Sequence, residues 1–204
     1  MFGPDMIFGI PGLLIAMTIH EYAHARVAVA MGDFTPRLAG RLTLNPVAHI
    51  DPIGLLMLFV AQFGWAKPVM INPRNFNDWR KGELYVSLAG PAANLLVAIS
   101  AAILIGVSLK LHLGQSWLYH VLQLIVIYNI NFAVFNMIPL PPLDGSKVLM
   151  VFLPGEWAYK LAGLERYSFL ILIALVFTNV LGIIMHPVQR LLMEVMSTIV
   201  SFIL

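Results

Sequence analysis

Apolar residues fall in long blocks along this chain, with the polar residues gathered between them. Met6–Met31 is the first block, stopped by Gly32 and Asp33 with Pro36 just beyond. Pro11 near its start predicts a kink. Ile53–Gly64 is apolar but only about a dozen residues long, some 18 Å as a helix against about 30 Å of hydrocarbon, so it predicts a re-entrant or interfacial segment. Glu83–Val107 and Trp117–Ile138 are full-length blocks. Ser168–Met185 predicts a further span, and Val188–Leu204 a last one interrupted by Arg190 and Glu194. Phe34–Asp51 and Trp65–Gly82 are polar and broken by prolines. Within them Arg41–Leu44 alternates, and the stretch from Trp65 to Pro73 reads as a strand or hairpin. The expected fold is an all-α integral membrane protein. It has about five or six transmembrane helices and a short strand-bearing re-entrant region. Residues 1–204 form one polytopic domain, with a catalytic core over about 6–150.

Composition agrees with that pattern. Of 204 residues, 60% are hydrophobic and 11% charged, where soluble domains carry roughly 25% charged residues. Mean hydropathy is +0.87. The net charge of +2 is small, and the basic residues sit in the loops, where they report orientation rather than nucleic-acid binding. There is no cysteine, which excludes disulfides, cysteine-ligated zinc and a cysteine nucleophile. The N-terminal Met-Phe-Gly-Pro-Asp-Met lacks the basic region of a signal peptide, so the first block is expected to be a retained span.

The chemistry lies inside that first block, at His20-Glu21-Tyr22-Ala23-His24. Helix positions i and i+4 share a face, so both imidazoles can reach one metal ion, with Glu21 beside it as a general base. The other reading is two histidines on a helix interface, hydrogen-bonded to neighbours, but it leaves three polar groups in need of partners in low dielectric, which favours the metal site.

Loop charge places this group in depth. With Ile53–Gly64 re-entrant, the loops at 32–52, 65–83 and 139–167 share one side. They carry Arg37, Arg41, Lys67, Arg74, Arg80, Lys81, Lys147, Lys160 and Arg166, against Lys110 on the other. The positive-inside rule makes the basic side cytoplasmic. His24 is seven residues before Met31, roughly 10 Å from that face. Asp144 follows a span that ends on the same side.

A catalytic zinc takes three protein ligands and keeps one position open. Asp144, in the turn Pro139-Leu140-Pro141-Pro142-Leu143-Asp144-Gly145, fits best as the third ligand, and His49 is the runner-up. His112, His120 and His186 fall near the far face. Asn94 is a candidate donor to a developing oxyanion, or equally an interhelical hydrogen bond. Asn129, Asn131 and Asn136 either line a water path or bridge helices.

These residues resemble the site-2 protease family of intramembrane zinc metalloproteases. The resemblance runs from about Phe8 to Val148. It rests on His20–His24 with Ala25, Ala28, Gly32 and Asp33, on Asn45–Gly54, on Gly64–Val69, on Gly90-Pro91-Ala92-Ala93-Asn94, and on Asn136–Gly145. It implies one Zn²⁺ held by His20, His24 and Asp144, Glu21 as catalytic base, and Asn94 at the active site. It also implies a three-span core and cleavage of transmembrane protein substrates in regulated proteolysis. The chain resembles the minimal, core-only members, so gating is expected from the helices or from a regulatory membrane partner. Ser146 stands where a second glycine is common. The expected location is the cell membrane, with the active site towards the cytoplasm. The segment Lys67–Ile71 is placed to pair with an extended peptide by strand addition.

The rival reading is a non-enzymatic membrane metal-binding or transport protein. It would use the same ligands without needing Glu21. A transporter would carry ionisable residues through both membrane halves, whereas here they gather near one face.

Overall fold

The computed structural model describes residues 5–54, 65–113 and 116–204. Eight α-helices lie wholly among them, besides the helical residues 52–54. The first is α1, Asp5–Ala30, which runs through Pro11. A single turn, α2, covers Thr35–Leu38. The long helix α3 spans Trp79–Lys110 and α4 spans Ser116–Asn136. Then come α5, Asp144–Phe152, α6, Gly155–Gly163, α7, Ser168–Phe177, and α8, Val180–Ile203. Three of them, α3, α4 and α8, are long and apolar enough to cross a membrane.

Helices α1, α3 and α4 pack pairwise into the core, and α8 packs on α3 and α4. Small residues make that approach close. Ala98, Ala101 and Ala102 of α3 are buried against Leu122, Val126 and Ile130 of α4 and Met196 of α8, as expected where lipid leaves packing as the main driving force. Asp78 caps the N-terminus of α3 by accepting from the Lys81 N–H at 3.1 Å, while the Lys110 ammonium at its other end donates to the Ile203 carbonyl at the C-terminus of α8 at 2.7 Å.

Two boundaries differ from expectation. The block Ser168–Met185 is not one helix. It breaks at Thr178 and Asn179, where Asn179 is left-handed with φ 58°, a conformation asparagine tolerates better than most residues. At ten residues, α7 is about 15 Å long and too short to span alone. The apolar residues after the break join the last block in one continuous helix, α8, which runs through Pro187. The stretch from Met150 to Arg166, expected as loop, is largely helical in α5 and α6.

The expected strand-bearing region is also different. Among the described residues there is no strand, only an isolated antiparallel bridge between Ile50 and Ala66. Arg41–Leu44 is bent, and beyond the bridge at Ala66 the segment from Lys67 to Asn72 forms no regular element. Side chains occupy the places a neighbouring strand would take. The Arg41 guanidinium donates to the carbonyls of Ala48 and Lys67. Carboxylates of Glu21 and Asp33 accept from the Val69 and Asn72 N–H groups. The stretch 55–64, which carries most of the expected re-entrant segment, lies outside the described residues.

Candidate active site

Periodicity brings His20 and His24 onto one face of α1, with their Nε2 atoms 2.9 Å apart. Asp144 comes from the first turn of α5. Its Oδ2 lies 3.2 Å from Nε2 of His20 and 3.1 Å from Nε2 of His24. All three residues are buried. Among the described residues they form a group of histidine and acidic side chains able to share one metal ion. His49 is not part of it. Its ring turns instead to the Thr43 carbonyl, to which Nε2 donates at 2.8 Å, because the 3₁₀ turn Pro46–His49 faces it that way. Nearby, Asp51 accepts from the N–H groups of Ile53 and Gly54.

The far side of each imidazole decides its proton. His24 Nδ1 is 2.7 Å from the Val86 carbonyl, which can only accept, so Nδ1 carries the hydrogen. His20 Nδ1 is 2.7 Å from Oδ1 of Asn94. The Asn94 amide cannot be reversed, because its Nδ2 donates to the Ala16 carbonyl at 2.8 Å. Its second hydrogen goes to Oδ1 of Asn129 at 2.9 Å, and Asn129 in turn donates to the Ile125 carbonyl. A chain of hydrogen bonds therefore runs from α4 through α3 to His20. With Nδ1 as the protonated nitrogen of a neutral ring, each Nε2 presents a lone pair to the other and to Oδ2 of Asp144.

Three such atoms converging in a buried space make a site suited to a cation. Zinc ligands at about 2.0–2.1 Å in a tetrahedron stand roughly 3.3 Å apart, and the separations here are 2.9, 3.1 and 3.2 Å. Two imidazoles and one carboxylate are also a zinc-type donor set. The residues fit the ion.

Glycine allows the close approaches. A β-carbon on Gly90 would fall 2.5 Å from Cε1 of His20 and 2.6 Å from Nε2 of His24. A β-carbon on Gly145 would run into the Met137 carbonyl at the end of α4, so Asp144 reaches the histidines only because its neighbour has no side chain.

Glu21 is almost fully buried. Its Oε2 accepts from the Val69 N–H at 2.8 Å. Asn94, expected as an oxyanion donor or an interhelical hydrogen bond, has both amide hydrogens engaged and faces His20. Asn131 pairs with Gln189 of α8, and Asn136 bonds back to its own helix at Phe132.

Comparison with known proteins decides the family. Over 181 residues the chain is 35% identical to "Putative zinc metalloprotease YwhC" of Bacillus subtilis, covering 86% of this chain and 82% of the relative. It is 31% identical over 182 residues to "Putative zinc metalloprotease Rip2" of Mycolicibacterium smegmatis, covering 86% and 69%. Residues 109–181 match peptidase family M50. The chain belongs to peptidase family M50. It is thus a metalloendopeptidase by family, and the ion its donor set fits is the zinc of its relatives. "Stage IV sporulation protein FB" of Bacillus subtilis is a more distant relative, 28% identical over 72% of this chain. No solved structure matches the chain.

Several residues that build this M50 site escaped the sequence reading: Val86, Asn129 as the partner of Asn94, and Val69. Val86 and Val69 act through backbone atoms, which side-chain identity does not reveal. Asn129 carried a signal, as an asparagine inside an apolar span, but its partner is 35 residues away.

Proposed function

We propose that the chain is a zinc-dependent intramembrane endopeptidase that cleaves transmembrane protein substrates, with its active site towards the cytoplasmic face of the cell membrane. The observation that carries this reading is the triangle of bare donor atoms on His20, His24 and Asp144 beside the carboxylate of Glu21, within a bundle of membrane-length helices. His20, His24 and Asp144 hold the ion. Asn94 and the Val86 carbonyl orient the two imidazoles and keep their protons on Nδ1, a task that outer partners of metal ligands commonly perform. When bound, zinc supplies a Lewis acid that polarises the scissile carbonyl and makes a water acidic enough to lose its proton near neutrality. Glu21 takes that proton and returns it to the leaving amine.

A substrate helix must unwind locally before it can be cut, because its own hydrogen bonds shield its carbonyls. Helix α1 packs against α3 and α4, both long and apolar enough to cross a membrane, so a transmembrane peptide would meet the ligands from within the bilayer. The buried donors exclude bulk water, which strengthens the charge stabilisation the ligands provide.

Purified protein in detergent or vesicles, tested with zinc on a panel of transmembrane reporter substrates, checks the reading. Wild type should cleave and carry one zinc per chain, and Glu21→Gln should keep the zinc and lose cleavage. Stoichiometric zinc with cleavage unaffected in Glu21→Gln would remove Glu21 as the base. Zinc with no cleavage of any substrate by wild type would favour the metal-binding, non-enzymatic reading.

A further inference from the structure

The segment from Ala66 to Asn77, irregular up to Asn72 and then turning through a short 3₁₀ helix at Pro73–Asn75, is a strap that passes the end of α1 and is tied down at both ends. At its start, the Lys67 N–H donates to the His49 carbonyl at 2.9 Å, and Arg41 donates to the Lys67 carbonyl. At its far end, the Asn72 N–H donates to Oδ2 of Asp33 at 2.7 Å, the Asn75 amide donates to Oδ1 of Asp33 at 2.8 Å, and the Asn77 N–H reaches the Met31 carbonyl at 2.9 Å. Between these ties, the Val69 N–H meets Glu21. Asp33 is completely buried and also accepts from the N–H and hydroxyl of Thr35. A carboxylate with four donors on it is a fixed point, and it sits just past the last turn of the helix that carries His20, Glu21 and His24.

We infer that the Val69 backbone N–H is a working part of the active site, holding Oε2 of Glu21 so that Oε1 takes the proton from the attacking water, and that Asp33 is the positioning residue that keeps this N–H in place. The inference rests on Glu21 being the general base. A carboxylate free to rotate in a buried site presents either oxygen at many angles, and a proton transfer requires one of them within hydrogen-bond reach of the water. One N–H on Oε2 removes that freedom. The donor is a backbone atom, so its position depends on the strap, and the strap depends on Asp33 and Arg41.

The sequence pattern explains why an acidic residue stands at position 33. Helix α1 ends at Ala30, and the Asp33 N–H turns back to the Ala28 carbonyl at 2.9 Å. This directs the carboxylate away from the helix end and towards the strap. An amide at this position would place an NH₂ group against at least one of the four donors, and one tie would be lost.

The test replaces the Val69 amide by an ester, through incorporation of the corresponding α-hydroxy acid, and compares it with Asp33→Asn and Glu21→Gln in the full-length zinc-loaded protein. Expected are a fall in kcat of at least about tenfold for the ester and for Asp33→Asn, KM within about twofold of wild type, and one zinc per chain retained. A loss of one general-base contribution is worth about 10²–10⁴-fold, so partial misplacement belongs at the lower edge of that range. A readout independent of turnover is hydrogen exchange at the Val69 amide in metal-free protein, which should be slow in wild type and at least about tenfold faster in Asp33→Asn. Unchanged kcat in the ester, a rise in kcat, or a change confined to KM would overturn the inference, provided Glu21→Gln is inactive. Activity in Glu21→Gln would instead overturn the assignment of the base. Unchanged exchange at Val69 in Asp33→Asn would remove Asp33 from the scheme.

Discussion

The Nε2 atoms of His20 and His24 stand 2.9 Å apart, while Nδ1 of each ring faces a carbonyl-type oxygen on α3. Without a cation the two lone pairs and the Asp144 carboxylate oppose one another in a buried space. Chelation should therefore lower the thermal midpoint of the protein, and zinc should restore it. Asp144→Asn should weaken zinc binding by more than about 100-fold, beyond the 10–100-fold typical of outer partners. Zinc titration followed by differential scanning fluorimetry checks both.

Asn94 offers a sharper case. Its amide hydrogens are taken by Ala16 and Asn129, and its oxygen holds His20. Asn94→Ala should reduce zinc affinity by about 10–100-fold, and excess zinc should recover much of the activity. An oxyanion donor would behave differently: kcat would fall while zinc affinity stayed whole. Activity measured across a range of free zinc separates the two.

Gly90→Ala should be among the most damaging methyl additions in the chain. The added carbon would meet both zinc-facing rings, and α3 cannot withdraw without losing the Ala98, Ala101 and Ala102 packing behind it. Overpacking of this kind costs about 1–3 kcal/mol. Zinc content should fall together with activity. Gly163→Ala, at a glycine with open space around it, should leave both unchanged. Metal analysis of the purified variants decides it.

Acid should loosen the strap. Burial alone raises the Asp33 carboxyl, but the hydroxyl, amide and N–H donors from Thr35, Asn72 and Asn75 outweigh it and hold the group below the ordinary carboxylate range. A carboxyl lowered in the folded state contributes stability that is present above its unfolded value, near about 3.9. That contribution disappears as pH falls through the folded value. Protease cutting within 66–77 should thus accelerate below about pH 4 in wild type. Asp33→Asn should be cut faster already at neutral pH and show little further acid dependence. Limited proteolysis with an acid-stable protease measures this.

Much of the site was legible in the sequence. Helical periodicity alone places His20 and His24 on one face, and the apolar block around them puts that face in a membrane-type bundle. Loop charge and span counting bring Asp144 to the same depth, and the structure sets it within 3.2 Å of both rings. The long helices α1, α3 and α4 were equally visible, since a run of apolar residues of that length has few other uses. The helix boundaries after Phe152 were not. The break at Asn179 depends on one left-handed residue, and the apolar pattern runs straight across it.

By itself, then, the sequence determined which residues offer metal-binding atoms and that His20 and His24 share one helix face. These are properties of residue type and of local periodicity. Tertiary structure decided which nitrogen of each ring is bare, what Asn94 holds, and that a backbone N–H meets Glu21. Those contacts join residues 74, 62 and 48 positions apart, two of them through backbone atoms that every residue except proline possesses in full. No residue type announces such a partner, because the partner is chosen only when the packed helices bring the two chains together.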